Sequence, residues 1–87
     1  AAASVDGKIY AVGGRNSEYS SLSTLEIYDA ENDGWSSGSS MPTARSGLAA
    51  ASVDGEIYAI GGWDHDSGRY FSTVEMYDPQ TDNWTAK

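Results

Sequence analysis

The sequence predicts an all-β protein that contains two copies of one four-stranded antiparallel unit. The stretch AAASVDGKIYAVGG at residues 1–14 returns as AAASVDGEIYAIGG at residues 49–62, with twelve of fourteen letters identical. Later landmarks recur as well, since Tyr28 and Trp35 have counterparts in Tyr77 and Trp84. A repeat of this length indicates one supersecondary unit used twice, and such a unit cannot bury its apolar faces alone.

The composition of the chain narrows the classes of function. Three Trp and six Tyr in 87 residues, with 39% hydrophobic residues, argue against disorder. A net charge of −8 disfavours nucleic acid as a partner, because phosphate binding needs a basic surface. Cysteine is absent, so disulfides, thiolate nucleophiles and Cys-ligated zinc are excluded. We expect no cofactor, no membrane span and no signal segment, and the sequence assigns no cellular compartment.

The first two strands of each unit form a predicted hairpin. Asp6-Gly7 lies between two apolar runs, and a type I′ turn needs positive φ at both of its central residues. Strands are therefore expected at residues 2–5 and 8–12, and Asp54-Gly55 repeats the pattern. The first strand is mostly alanine, which suits a place where strands converge. The second is apolar on both alternating faces, and we expect both faces to be covered.

A glycine doublet and a polar loop follow the hairpin in each unit. The doublets could suggest a nucleotide-binding loop, but no helical periodicity follows them. The loops are RNSEYSSLS in the first unit and WDHDSGRYFS in the second. Any specific function is expected where the two copies differ, in these loops and in the joint MPTARSGL.

The third and fourth strands complete each unit. TLEIYDA and TVEMYDP alternate as strands do, and a turn-rich segment separates each from a Trp that opens the fourth strand. The units span residues 1–38 and 49–87, and residues 39–48 connect them. Tyr28, Trp35, Tyr77 and Trp84 are all expected in the core of these units.

The chain resembles the kelch-repeat family. The resemblance is carried by IYAVGG, EIYDAENDGW, MPTARSGL, IYAIGG and EMYDPQTDNW, and a period of about 50 residues agrees with it. It implies that each unit is one blade of a β-propeller. The signature residues it implies are Gly13, Gly14, Tyr28, Trp35, Gly61, Gly62, Tyr77 and Trp84.

Two blades are fewer than a propeller needs, since such rings close with roughly four to eight. We expect a homo-oligomer, with three chains giving a six-bladed ring; four chains and eight blades are an alternative. The chain begins directly on an inner strand and lacks a second connection, which favours an excised or designed fragment. An intact natural protein is the other interpretation of these ends, and a crop from a longer natural chain is the alternative to assembly.

Catalytic and metal sites are not expected. His65 is the single histidine, and it lies in a polar loop with Asp64 and Asp66. When Asp64, Asp66 and Glu75 are aligned with the ligand positions of a calcium-binding loop, the glycine that the loop requires lies one position too early. Glu75 also belongs to a strand and not to the loop. A Ser-His-Asp set would need His65, for which the sequence offers no partner. Some kelch oxidases have a copper site and a cysteine-crosslinked tyrosine, and the absence of cysteine excludes that cross-link here.

The resemblance to kelch adaptors of ubiquitin ligases implies a peptide-binding rim. We therefore predict a non-enzymatic ring-forming scaffold or protein-binding module; a peptide-binding fragment of a larger adaptor and a carbohydrate-active protein are the alternatives. Two of the candidate residues for this rim have a structural alternative. Arg45 could hydrogen-bond neighbouring carbonyl groups, and Trp63 could cover a blade face. Tyr19, Tyr70 and Phe71 are loop anchors or partner contacts. The candidate rim residues are Arg15, Asn16, Arg45, Ser46, Trp63 and Asp64.

Overall fold

A computed structural model, which describes residues 1–18 and 20–87, confirms the all-β class with two four-stranded antiparallel sheets. Tyr19 lies outside the described residues, so its predicted role as an anchor or contact stays a prediction. The first sheet runs in chain order through β1 (Ala2–Val5), β2 (Lys8–Val12), β3 (Leu25–Asp29) and β4 (Gly34–Gly38).

The second sheet repeats this topology with one addition. Its four strands, in spatial order, are β5 (Ala49–Val53), β6 (Glu56–Ile60), β9 (Val74–Asp78) and β10 (Asn83–Ala86). A small hairpin of β7 (Trp63–Asp64) and β8 (Arg69–Tyr70) lies between β6 and β9, where the sequence predicted only a loop. Over the described part of the chain, no helix is long and apolar enough to cross a membrane.

The predicted hairpin turns are confirmed. Asp6 and Gly7 have φ values of 51° and 79°, and Asp54 and Gly55 have φ values of 50° and 81°. Positive φ at both central residues is the type I′ geometry, whose twist matches that of the flanking strands. The alanine-rich strands β1 and β5, each at the start of its sheet, lie in contact with one another.

The core lies between the two sheets. We call the side of the first sheet that carries Tyr10, Val12 and Leu25 its front face. It packs against the side of the second sheet that carries Ile57 and Tyr77, which we call the back face. Tyr10 and Tyr77 are in tilted contact, with ring centroids 6.0 Å apart. Met41 and Leu48 of the connection complete the buried cluster.

A polar clamp closes the outer edge of this interface. The Tyr77 hydroxyl donates to Asp82 over 2.6 Å, and Ser39 donates to the same carboxylate through its backbone N–H and its hydroxyl, both at 2.8 Å. These hydrogen bonds, the Tyr77 bond foremost, hold the pKa of Asp82 below its usual value. Burial, followed by the bond to Asp82, raises the pKa of Tyr77. The Trp84 indole N–H donates to the Ser39 carbonyl over 2.7 Å.

The core prediction for the repeated aromatic residues is correct only for the second copy. Tyr77 is buried and Trp84 is half-buried against the core, whereas Tyr28 is half-buried and Trp35 is 66% exposed. Tyr28 and Trp35 lie on the back face of the first sheet, which faces solvent in this chain. For the same reason the prediction that strand two is covered on both sides is wrong, since Ile9 and Ile60 are each 42% exposed.

Candidate functional site

The candidate site starts where strands β2 and β6 end in glycine doublets. Gly13 has a φ of 65°, and a Cβ there would lie 2.7 Å from the Arg45 carbonyl oxygen. A Cβ on Gly62, with a φ of 94°, would lie 2.8 Å from the Ser46 carbonyl oxygen. Both positions therefore need glycine, because the connection passes directly over the strand ends. The residues that follow the doublets emerge beside the connection.

Three of the six candidate rim residues come together on this surface. Arg15, Ser46 and Trp63, with His65 and the adjoining glycines Gly14 and Gly47, line a shallow depression of about 280 Å³. We call this depression the rim site. The Ser46 and Trp63 backbones exchange two hydrogen bonds of 2.9 Å, which fixes the connection against the second sheet.

A contact between the two repeats defines one side of the rim site. The Arg15 Nη1 lies 3.1 Å from the His65 Nε2. A guanidinium can only donate, so the Nε2 accepts and a neutral imidazole carries its proton on Nδ1. The His65 backbone N–H donates to the Ser21 hydroxyl over 3.0 Å, which holds the loop of the second repeat on the first. Sequence reasoning missed His65 because its partners come from the other repeat.

Aromatic rings form the other side of the rim site. Trp63 stacks on Tyr70 at a centroid distance of 5.3 Å and meets the edge of the His65 ring at 4.6 Å. Tyr70 is 81% exposed, so the Trp63–Tyr70 pair presents an open apolar surface. Such a rigid aromatic surface beside a guanidinium combines apolar contact with the ability to bind carboxylates and carbonyls.

The side chains of Asn16 and Asp64 shape their own loops. The Asn16 Oδ1 accepts hydrogen bonds from the backbone N–H groups of Glu18 and Ser20. The Asp64 carboxylate accepts from the Ser67 hydroxyl and the Asp66 N–H. These bonds, the Ser67 bond foremost, lower the pKa of Asp64. Neither residue lines the depression, but both order the loops that carry Arg15 and His65.

Arg45 lies in the interior, which corrects its prediction as a rim contact. Its side chain is fully buried, and its guanidinium donates to the carbonyl oxygens of Ala59, Gly61 and Thr73 at 2.8–3.1 Å. It also forms a 3.0 Å ion pair with Glu75. Burial lowers the pKa of Arg45, and Glu75 opposes that shift. The structural role that the sequence left open is the one observed.

The acidic residues considered for a calcium loop are separated in the structure. Glu75 accepts hydrogen bonds from Arg45 and from the Thr43 hydroxyl, whereas Asp64 accepts from Ser67 and Asp66 of its own loop. Within residues 1–18 and 20–87, no group of three or more His, Asp or Glu side chains is arranged to hold a metal ion.

Comparison with known proteins identifies relatives that carry kelch repeats. The family model of the Kelch motif matches residues 1–42 and again residues 44–86. An F-box/kelch-repeat protein of Arabidopsis thaliana is 36% identical over 81 residues, covering 90% of this chain and 20% of the relative. Kelch-like protein 36 of Bos taurus is 37% identical over 82 residues, covering 94% of this chain and 13% of the relative. The chain thus spans about a fifth or less of the length of these curated relatives.

Proposed function

Since this chain belongs to the kelch-repeat family, whose members are typically non-enzymatic protein-interaction modules, we propose that it is a two-blade unit that assembles into a closed propeller. In this proposal residues 1–38 and 49–87 are the blades, and residues 39–48 join them. The observation that carries the proposal is that the two outward faces of the chain repeat the two faces of its internal interface.

The back face of the first blade repeats the buried surface of the second. Across the first sheet, Ile9, Tyr28 and Trp35 form one row by strand register. The corresponding row across the second sheet is Ile57, Tyr77 and Trp84, and it packs against the first blade. The first row is therefore suited to the same kind of neighbour.

The front face of the second blade supplies that kind of neighbour. Tyr58 and Ile60 are the counterparts of Tyr10 and Val12, which form the other half of the internal interface. A second copy of the chain can thus place its front face on the back face of the first. Such a head-to-tail contact joins different surfaces, and it closes into a ring when the rotation allows. Three chains supply six blades, within the usual range for propellers.

Solution mass tests the proposal. Light scattering is expected to give three times the chain mass of 9.2 kDa. A well-folded monomer across the micromolar range would reject assembly and support the alternative that these blades are part of a longer propeller.

Two single-face variants test the head-to-tail arrangement. Ile9→Glu places a charge on one outward face, and Ile60→Glu places a charge on the other. Each variant alone should lose the ring, and their mixture should give a dimer of twice the chain mass, because each keeps the face that the other needs. If either variant assembles by itself, pairing occurs between identical faces and the head-to-tail arrangement is wrong.

The rim site supports a second part of the proposal, that the unit binds a protein segment. Its exposed aromatic pair and its guanidinium favour a peptide with apolar and carboxylate groups. Peptides selected from a random displayed library on the wild-type chain are the probe. Trp63→Ala should weaken their binding at least tenfold, and Glu31→Ala, at an exposed residue of the turn between β3 and β4 that belongs neither to the rim site nor to the outward rows, should not. Equal effects of the two changes would place the binding elsewhere, and heat released on titration with sugars would favour the carbohydrate alternative.

A further inference from the structure

A second cavity lies between the two sheets, at the end of the strands opposite to the rim site. Its volume is about 430 Å³, within the range of roughly 300–1,000 Å³ that is typical of ligand clefts. The turn between β1 and β2, with the residues beside it, forms one wall. The turn between β5 and β6, with the end of β9 and the turn after it, forms the other. We call this cavity the turn cleft, and no second chain is needed to form it.

The charges that line the turn cleft are mostly negative. The lining carries four carboxylates and one ammonium group, which belong to Asp6, Asp54, Glu56, Asp78 and Lys8. Among the residues that the structure describes, none of these five takes part in an ion pair. A cleft lined by one sign of charge concentrates ions of the opposite sign, so the turn cleft attracts cations.

A buried polar group also faces the turn cleft. Tyr10 is only 4% exposed and is the one buried residue of the lining. Within residues 1–18 and 20–87 its hydroxyl makes no hydrogen bond, whereas the Tyr77 hydroxyl donates to Asp82. Burial, followed by the charge of Asp6, raises the pKa of Tyr10, so the hydroxyl keeps its proton at neutral pH. The Tyr10 hydroxyl is therefore an unfilled hydrogen-bonding position beside the carboxylates, and a buried position of this kind favours a ligand that fills it.

The chemistry of the turn cleft favours an organic cation over a metal ion. Over the described part of the chain, no three His, Asp or Glu side chains are arranged to hold a metal. Val5 and Pro79 add apolar surface beside the carboxylates, which suits a side chain with an apolar stem and a charged head.

Arginine fits this lining better than lysine. A guanidinium has five N–H groups in a planar fork and can donate to both walls and to the Tyr10 hydroxyl, whereas an ammonium donates from one point. Kelch-repeat proteins are typically protein-interaction modules, which favours an arginine of a partner protein over a free small cation.

We propose that the turn cleft binds an arginine side chain from a basic segment of a partner protein. The guanidinium lies between Asp6 on one wall and the residue pair Asp54 and Glu56 on the other, and it donates to the Tyr10 hydroxyl. This site has the opposite charge preference to the rim site. It does not rest on ring assembly, because the proposed ring covers the outward faces of the chain and the turn cleft lies between its inward faces.

Titration with short peptides tests the charge preference. The probe is a blocked, dye-labelled Gly-Arg-Gly-Arg-Gly peptide, and its control carries neutral citrulline in place of both arginines. The arginine peptide should bind about tenfold more tightly or better, since hydrogen bonds between charged groups are among the stronger ones. Asp6→Asn, which keeps the shape of a residue with positive φ, should weaken it about fivefold. Asp66→Asn makes the same change of charge in the loop between β7 and β8 and should weaken it less than about twofold.

Tyr10→Phe separates the turn cleft from general attraction to an acidic protein. The change keeps the ring and the net charge, and the hydroxyl has no hydrogen bond in the described chain to lose. It should weaken the arginine peptide about tenfold, the effect of one hydrogen bond to a charged group, and leave binding of the citrulline peptide unchanged. Tyr58→Phe is the matched control, because Tyr58 is the counterpart of Tyr10 in the second repeat and does not line the cleft.

Backbone NMR shifts locate the bound peptide. Shifts at residues 6–10 and 54–56, together with losses of affinity in Asp6→Asn and Tyr10→Phe alone, support the proposal. Equal losses in either control variant, or shifts confined to the rim site, would overturn it. Tighter binding of spermidine or Ca²⁺ at the same residues would also overturn it, because the occupant would then be a free cation. Trp63→Ala should leave binding of the arginine peptide unchanged, so the result is independent of the rim site.

Discussion

Replacing Arg45 by methionine is expected to be the most damaging single change in the connection. Methionine keeps much of the side-chain length but removes all four hydrogen bonds of the guanidinium and leaves Glu75 buried beside Thr43 alone. Removing one partner of a buried ion pair typically costs about 3–5 kcal/mol, because the remaining charge stays desolvated. A chain of this length has a total stability of roughly 4–13 kcal/mol, so the loss is a large fraction of it.

Urea denaturation followed by tryptophan fluorescence measures the effect. With a slope of about 1–3 kcal/mol per molar urea, the midpoint should fall by about 1 M or more. Arg15→Met is the control, since its contact with His65 is exposed and should matter by less than about 1 kcal/mol. The double change Arg45→Met with Glu75→Leu should recover much of the loss, because an apolar pair can replace a buried ion pair. If Arg45→Met costs no more stability than the control, the guanidinium does not hold the connection in place.

Three further predictions concern the clamp, the strand ends and the joint between chains. Asp82→Asn should destabilise the chain at pH 7. Because the folded state holds the pKa of Asp82 below 3.8, the stability that its carboxylate adds is lost in acid, and the difference between variant and wild type should disappear as the pH falls below that value. Urea midpoints of both proteins from pH 7 to pH 2 measure this difference. Gly13→Ala should cost about 1–3 kcal/mol through positive φ and the close carbonyl, whereas Gly34→Ala, which has open space around it, should cost less; equal midpoints would refute this reason. Lys87→Gly should tighten self-association. Lys87 is the counterpart of Gly38, which lies in the internal interface at a point where even a Cβ would be 2.7 Å from the Leu25 side chain. An unchanged mass distribution on dilution would contradict this prediction.

The features that the sequence predicts well are local. An Asp-Gly pair between apolar runs determines its own turn, and both turns have the expected backbone angles. Strand three was also predictable, since the alternation of apolar residues is a property of a few neighbours along the chain.

The features that sequence reasoning misplaced depend on stacking. Trp35 and Trp84 occupy the same position in two near-identical repeats, yet only Trp84 contacts the core, because only its face meets another sheet. Arg45 has the sequence surroundings of a rim residue, and its burial follows from how the second sheet closes on the connection. His65 meets Arg15 across 50 residues of chain, a distance that no local pattern spans.

The side chains at the two edges of the interface differ in size, and this difference affects how many blades the proposed ring can hold. Alanine-rich β1 and β5 meet at one edge, and the Tyr77–Trp84 pair with its clamp to Ser39 lies toward the other. Adjacent blades are thus separated by a wedge that is thin at the alanine edge and thick at the aromatic edge. The thickness of that wedge sets the angle between one blade and the next. In the proposed ring, side-chain volume at the aromatic edge would therefore help to set the number of subunits, and a change in ring size after a substitution there would reflect geometry rather than lost affinity.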